Sequence, residues 1–331
     1  MSSPRFQILG IGNAIVDVVA AVDDAFLARH DMRKGSMTLI DAEAARALYA
    51  AMPAGRGSSG GSAANTCAVA AGLGARVAYL GKVAEDELGQ VFRHDIKAAG
   101  VTFPSAPVAG EAGTGRCLIL VTPDAQRTMH TFLGAATSFG EGDVDPAFVA
   151  EAEVVYLEGY LFDPPAAQAA FRAAAAAAHA AGRLVALSLS DPFCVSRHRD
   201  AFRDLVAGHI DILFANEPEI TSLYETDRFE EAAERARADV ALAALTRGPK
   251  GSVIVAGSQT VNIEAAPTSV IDTTGAGDAY AAGFLTALTA GHALDRCGEV
   301  ASAAAALTIS DYGARPARGL DAIAARLGAP A

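Results

Sequence analysis

The chain has 331 residues, 51% hydrophobic and 19% charged, which is ample apolar material for a large core and argues against disorder. A formal net charge of −12 argues against a nucleic-acid binder, which needs clustered Lys and Arg to displace counterions. Four scattered cysteines without a CxxC pair, and seven histidines without HxxxH or HExxH spacing, argue against a disulfide framework, a zinc knuckle or a histidine metal centre.

The opening "MSSPRFQILGIGNAIVDVV" lacks the basic start, apolar core and small-residue cleavage site of a secretory signal. Gly10 and Asp17 also interrupt it as a membrane span, so a cytoplasmic protein with no membrane partner is expected. "FQILGIG" reads as the first strand. "GIGNAI" at 10–15 imitates the start of a dinucleotide fingerprint, but Ile15 occupies the third glycine position and strand-like residues follow. Residues 14–40, with "AIVDVVAAV" and "SMTLI", read as two strands with no helix between them. A helix at 62–73, the strand "RVAYLGKV" and a helix at 86–99 come next. Residues 112–133, with "GTGRCLILVT" and "RTMHTFL", read as a second pair of strands.

From there strands and helices alternate. "VVYLEGYLF", "RLVALSLS", "IDILFANE", "VALAALTRG" and "GSVIVAG" are strand-like, and 165–181, 217–225 and 229–237 are helix-like. The low-complexity "PPAAQAAFRAAAAAAHAAG" still reads as a surface helix, because Ala favours helix, Pro suits the first turn and Gly182 suits the C-terminal cap. The pattern predicts an α/β protein: a mainly parallel central sheet with helices on both faces. The two stretches that break the rhythm, 14–40 and 112–133, suit a small β-sheet lid on a single domain spanning 1–331.

"DTTGAGDAYAAGF" at 272–284 is the densest chemical signal. Gly275, Ala276 and Gly277 have minimal side chains, so backbone N–H groups can approach a phosphate at the start of a helix. Asp278 then falls in the first turn, where a carboxylate is electrostatically favoured and ionised near neutral pH. A helix-capping acid after a glycine turn is the plainer reading of the same residues. Walker A is absent, since "GPKGS" has the wrong spacing.

Four separated stretches resemble the ribokinase/PfkB family of carbohydrate and nucleoside kinases: "GGSAANTCAVAAGLGARVAYLGKVAEDELG", "NEPE" at 216–219, "TRGPKG" at 246–251 and "DTTGAGDAYAAGF". The resemblance runs in order over about residues 6–315. "GIGNAIVDVVAAVDDAFLARH", "TGRC", "LSLSDPF" and "HIDILFANEPE" are most similar to its adenosine kinase-like branch. The resemblance implies a ribokinase-like three-layer α/β/α core with a β-sheet lid, ATP as donor, Mg²⁺, and transfer to a hydroxymethyl group of a sugar or nucleoside.

Carried over residue by residue, it implies Asp278 as the base that takes the hydroxyl proton, with the N–H groups of Gly275, Ala276 and Gly277 as an anion hole. Arg127 would help to hold the transferring phosphate. Asn13 and Asp17 would bind vicinal ribose hydroxyls, with Gly60, Gly61, Ser62 and Asn65 forming a hinge and further acceptor contacts. Met37, Leu39, Cys117, Met129, Thr131, Leu133, Tyr160 and Phe193 would surround a base or acceptor, although core packing accounts for each as well. Asn216 and Glu219 would organise Mg²⁺ through water, while Thr246, Gly248, Gly251 and Thr274 would line the ATP loop. Asp272 resembles a monovalent-cation ligand, which would be K⁺. Thr274, Lys82 and Asp86 follow the sugar-kinase form of the motifs, and Met37 stands where some adenosine kinases have glutamine. The expectation is therefore a nucleoside kinase acting on adenosine, as monomer or homodimer, with a ribose- or fructose-type sugar kinase and a broader nucleoside kinase (guanosine, inosine, cytidine) as alternatives.

Overall fold

The computed structural model describes residues 4–110, 112–124 and 126–327. Within them the chain-order strands are β1 (Phe6–Ile11), β2 (Ile15–Ala21), β3 (Met37–Leu39), β4 (Arg56–Gly60), β5 (Val77–Leu80), β6 (Thr114–Val121) and β7 (Arg127–Gly134). They continue with β8 (Ala152–Glu158), β9 (Leu184–Ser188), β10 (Ile212–Asn216), β11 (Leu242–Thr246), β12 (Ser252–Ala256) and β13 (Gln259–Ile263).

The larger sheet has the order β13-β12-β11-β10-β9-β8-β1-β5. It is parallel from β5 to β11, and the β12–β13 hairpin extends it antiparallel. Each central strand feeds two cores because successive side chains point to opposite faces. On β8, Val154 and Tyr156 pack towards one face, with helices Ser62–Gly72 and Ala276–Thr289. Val155 and Leu157 pack towards the other, with helices Pro165–Ala180 and Phe229–Asp239. Double burial explains why these strands read as continuous apolar runs. The Ala-rich helix forms as its composition predicts: Pro165 is in its first turn, and Ala167, Ala170, Phe171, Ala174 and Ala178 make the buried stripe.

The second sheet has the order β3-β7-β6-β2-β4. Val16, Val18 and Ala20 of β2 and Leu118 and Leu120 of β6 join the main core. Ile15, Cys117 and Ile119 form a small cluster on the opposite face. Two expectations need correcting here. A helix, Asp24–Arg29, does intervene between β2 and β3, started by Asp23, whose carboxylate accepts from the Phe26 N–H at 2.7 Å. The sheet also includes β4, whose "RGSSG" sequence is low in strand propensity and is held by its antiparallel register with β2. Among the described residues, no helix is long and apolar enough to cross a membrane.

Candidate active site

In a parallel α/β sheet, the carboxyl ends of the strands leave a crevice lined by loops and helix starts. Asn13 follows β1, Glu158 ends β8, and Asn216 and Thr246 end β10 and β11 as direct cross-strand partners. The helix Ala276–Thr289 begins with Gly275 in the left-handed region, at φ 73°. A side chain there would also strike the backbone of Ala314, so conformation and space both demand glycine.

Asp278 lies in the first turn of this helix and is half-buried. Ser62 Oγ donates to its Oδ1 at 2.6 Å, and Asn65 Nδ2 donates to its Oδ2 at 3.3 Å. Loss of hydration pushes its carboxyl up to about 6, against the opposing pull of these two donors and of Arg315. The helix start alone predicted easy ionisation; desolvation outweighs it and holds the carboxyl above the usual carboxylate range. The N–H of Ala276 turns back to the Thr273 carbonyl at 3.3 Å, a long bond that leaves this amide only weakly committed. Gly277 is exposed, and Gly275 and Ala276 are half-buried beside it.

Asp17 approaches from β2 of the smaller sheet, and a Cβ on Gly60 would collide with its carboxylate. Glycine at 60 therefore keeps room for the acid. Burial raises the Asp17 carboxyl to about 6, with Arg315 and Arg127 lowering it and Asp278 raising it. Register explains the predicted acceptor face. Asp17 pairs with Cys117, Cys117 with Thr131, and Thr131 with Leu39, so the four form one row across β2, β6, β7 and β3. Ile119, Met129 and Met37 occupy a second row two residues further along. Because strand side chains alternate, both rows and Leu133 share Asp17's face. Thr131 Oγ1 lies 3.2 Å from Cys117 Sγ.

Not every predicted residue is enclosed. Met37 and Leu39 are 45% and 49% exposed, and Phe193 is 73% exposed. Tyr160, in the turn after β8, is half-buried; burial and the carboxylates of Asp191, Glu219, Asp278 and Glu158 push its phenol well up. Ser62 and Asn65 contact Asp278, the predicted base, in place of the acceptor contacts expected of them. Gly61 supplies the non-helical residue before the Ser62–Gly72 helix. Asn13 is also committed elsewhere: its N–H and Nδ2 both donate to Glu158 Oε1, at 3.1 and 2.7 Å. Its Oδ1 is buried and unpaired among the described residues.

On the other flank, Asn216 and Glu219 close a reciprocal cap. Asn216 N and Nδ2 donate to Glu219 Oε2 and Oε1 at 2.9 and 2.6 Å, while Glu219 N donates to Asn216 Oδ1 at 2.9 Å. Burial raises the Glu219 carboxyl to about 7. Its oxygens are already shared with Asn216, which fits a Mg²⁺ reached through water and carried by the nucleotide phosphates. Among the described residues no cluster of three or more metal-ligating side chains occurs. Thr246 leads into the short turn Gly248–Lys250, with Gly251 closing it before β12. Arg247, beside it, pairs with Glu217 at 3.0 Å and stacks over Phe229.

Arg127, on β7, reaches the glycine-rich turn but contacts Asp272 and Thr274 there. Asp272 also accepts from the N–H groups of Thr274 and Gly313, at 3.1 and 2.8 Å. The Asp272 carboxylate is thus shared by a guanidinium and two backbone amides.

Two residues escaped the sequence reading. Glu158 is buried and accepts from Asn13 and from Ala63 N at 2.7 Å; burial lifts its carboxyl to about 7. A lone acid closing the apolar run "VVYLE" was the available signal. Arg315 donates to Asn65 Oδ1 at 2.8 Å across a sequence separation of 250 residues, and nothing local marks it.

A carboxyl raised towards neutrality beside a glycine turn and helix start, with a second raised carboxyl, Asp17, near enough to interact with it, suits a phosphotransferase acting on a hydroxyl group. The chain belongs to the family described as pfkB family carbohydrate kinase, whose model matches residues 37–318. It is similar to the structure of adenosine kinase from Sinorhizobium meliloti, with 47% identity, 97% of this chain and 99% of that one covered, and a TM-score of 0.91. A probable sugar kinase from Rhizobium etli gives 45% identity, coverage of 98% and 99%, and a TM-score of 0.92. An ATP-dependent ribose-1-phosphate kinase from Halopiger xanaduensis is 32% identical over 82% of this chain and 87% of its own. The protein is thus a nucleoside or sugar kinase of this family that uses ATP and transfers phosphate to a hydroxyl of a small molecule.

Proposed function

We propose that the acceptor is a nucleoside, adenosine foremost, phosphorylated on its ribose 5′-hydroxyl. The observation that carries this reading is the shared face of the smaller sheet: one carboxylate, Asp17, beside two rows of thiol, thioether and aliphatic side chains with one hydroxyl, Thr131. A carboxylate accepts two hydroxyl hydrogens from a vicinal diol, and the apolar rows suit the flat face of a base. Similarity to an adenosine kinase at 47% identity supports it further.

On this reading the smaller sheet is a lid, and its movement brings Met37 and Leu39 from solvent onto the base. ATP supplies the phosphoryl group and Mg²⁺ neutralises its charge. Asp278 takes the proton from the attacking hydroxyl. Ser62 and Asn65 hold that carboxylate in place. The glycine turn at 275–277 offers amides to the charge that develops on the phosphoryl oxygens, and Arg127 is the lid's contribution to the same charge. Asn216 and Glu219 keep the end of β10 rigid beside the metal, and Thr246, Gly248 and Gly251 shape the nucleotide loop.

ADP release should be measured with nucleosides, ribose, ribose 1-phosphate and fructose. Adenosine is expected to give the highest kcat/KM; turnover of sugars with none of nucleosides would overturn the reading. The sugar alternative has its own support, the similarity to a ribose-1-phosphate kinase together with the exposure of Met37, Leu39 and Phe193.

A further inference from the structure

Arg315 lies beyond the helix Leu294–Thr308, and its guanidinium joins three otherwise separate parts of the cleft. Nε donates to Asn65 Oδ1 at 2.8 Å, and Nη1 donates to Ser59 Oγ on β4 at 2.9 Å. Nη1 also lies 3.6 Å from Asp95 Oδ2, which itself accepts from Ser59 N at 2.7 Å. The Asn65 amide can donate to Asp278 only when its oxygen faces the other way, where that oxygen accepts from Arg315 Nε. A flipped amide would set its oxygen against a carboxylate and its NH₂ against a guanidinium, two repulsions in place of two bonds.

We propose that Arg315 is a positioning residue for the acceptor side: it fixes Asn65 in the orientation that donates to Asp278, and its charge allows Asp17 and Asp278 to be ionised together. This rests on Asp278 being the base. The charged and titratable groups around that carboxylate are Asp17 on β2, Glu158 on β8, Glu219 at the start of helix Glu217–Tyr224, and the phenols of Tyr156 and Tyr160. Arg127 on β7 faces Asp17 from the lid, and Arg315 is the cation acting on both acids. Carboxylates that share a pocket raise one another's proton affinity unless a cation intervenes.

The test is Arg315→Met with Arg315→Lys beside it, with thermal unfolding as a check on folding. Arg315→Met should move the acid limb of the kcat/KM profile upwards by about one pH unit, since a neighbouring opposite charge typically shifts a carboxylate by that much or more. Arg315→Lys should return the limb towards its original pH while kcat stays low, because a single ammonium nitrogen lacks the planar fork whose Nε and Nη1 reach Asn65 and Ser59 separately. An equal loss at every pH with an unmoved limb would overturn the proposal. A second readout does not need activity: ¹³C titration of the Asp278 carboxyl in the substrate-free protein, assigned with Asp278→Asn. A higher midpoint in Arg315→Met supports the proposal, and an unchanged midpoint overturns it even where kinase activity is normal. If the wild type phosphorylates neither nucleosides nor sugars while the midpoint still moves, only the functional reading fails. Should Arg315→Met not fold, Arg315→Gln, which keeps a donor and loses the charge, must show the same upward shift.

Discussion

The two flanks of the site, which we propose take the phosphate donor and the acceptor, are built in opposite ways. The donor flank is local: Asn216 and Thr246 end neighbouring strands in register, and Glu219 caps the helix that Asn216 begins. The acceptor flank is assembled from distant segments, with Asp17 from β2, Asn65 from a helix start, Asp278 216 residues beyond Ser62, and Arg315 later still. Its acids also face one another, so its charge state depends on every member, whereas Glu219 is held mainly by one asparagine. A local site tolerates change at its margins; a composite one transmits it.

Substitutions on each flank sharpen this contrast. Asp278→Asn should have the largest effect, lowering kcat by roughly 10² to 10⁴ while acceptor binding persists, because the base is lost and the surrounding donors remain. Near-normal turnover would remove Asp278 from the chemistry. Asp17→Ala should lower kcat/KM by about 10- to 100-fold, mostly through acceptor KM, as a charged hydrogen-bond partner contributes about 1.5–3 kcal/mol. An unchanged acceptor KM would refute the diol role. On the donor flank, Glu219→Gln should raise the Mg²⁺ concentration for half-maximal rate about 10-fold and leave acceptor KM alone; an acceptor effect of equal size would erase the distinction between the flanks.

Two smaller effects concern pH. kcat/KM should rise with pH through about 6, where Asp17 and Asp278 lose their protons. A carboxyl whose folded-state pKa exceeds its unfolded value adds stability below the unfolded value and loses it as pH rises through the folded one. Asp278→Asn should therefore raise Tm by about 2 °C at pH 8, with the gain shrinking as pH falls through about 6 and closing only below about pH 4, on the scale expected for a chain of this size. Calorimetry at the two pH values would measure it; a lower Tm at pH 8 would mean that the carboxylate stabilises the fold.

The same contrast explains what could be read from sequence. The βα alternation, the helix at 165–181 and the strand pair at 112–133 followed from periodicity, because each is decided by residues close together. Asn216, Glu219 and Thr246 belong to short motifs for the same reason. β4 was not legible, since "RGSSG" has no strand propensity and forms only against β2. The helix Asp24–Arg29 was hidden between two strong strand signals, although Asp23 in "DDAFLAR" carried its cap. The donor role of Ser62 and Asn65 towards Asp278, the claim of Glu158 on Asn13, and the entry of Arg315 depend on tertiary contacts that no window of residues contains.

Arg127 spans the smaller sheet and the glycine-rich turn by resting on Asp272 and Thr274. A guanidinium so occupied is a poor trap for stray phosphate in the cell, because any anion must first displace an internal carboxylate. If Arg127 holds the transferring group as proposed, each catalytic cycle includes an exchange of counterions, with Asp272 and Thr274 giving up the guanidinium and taking it back.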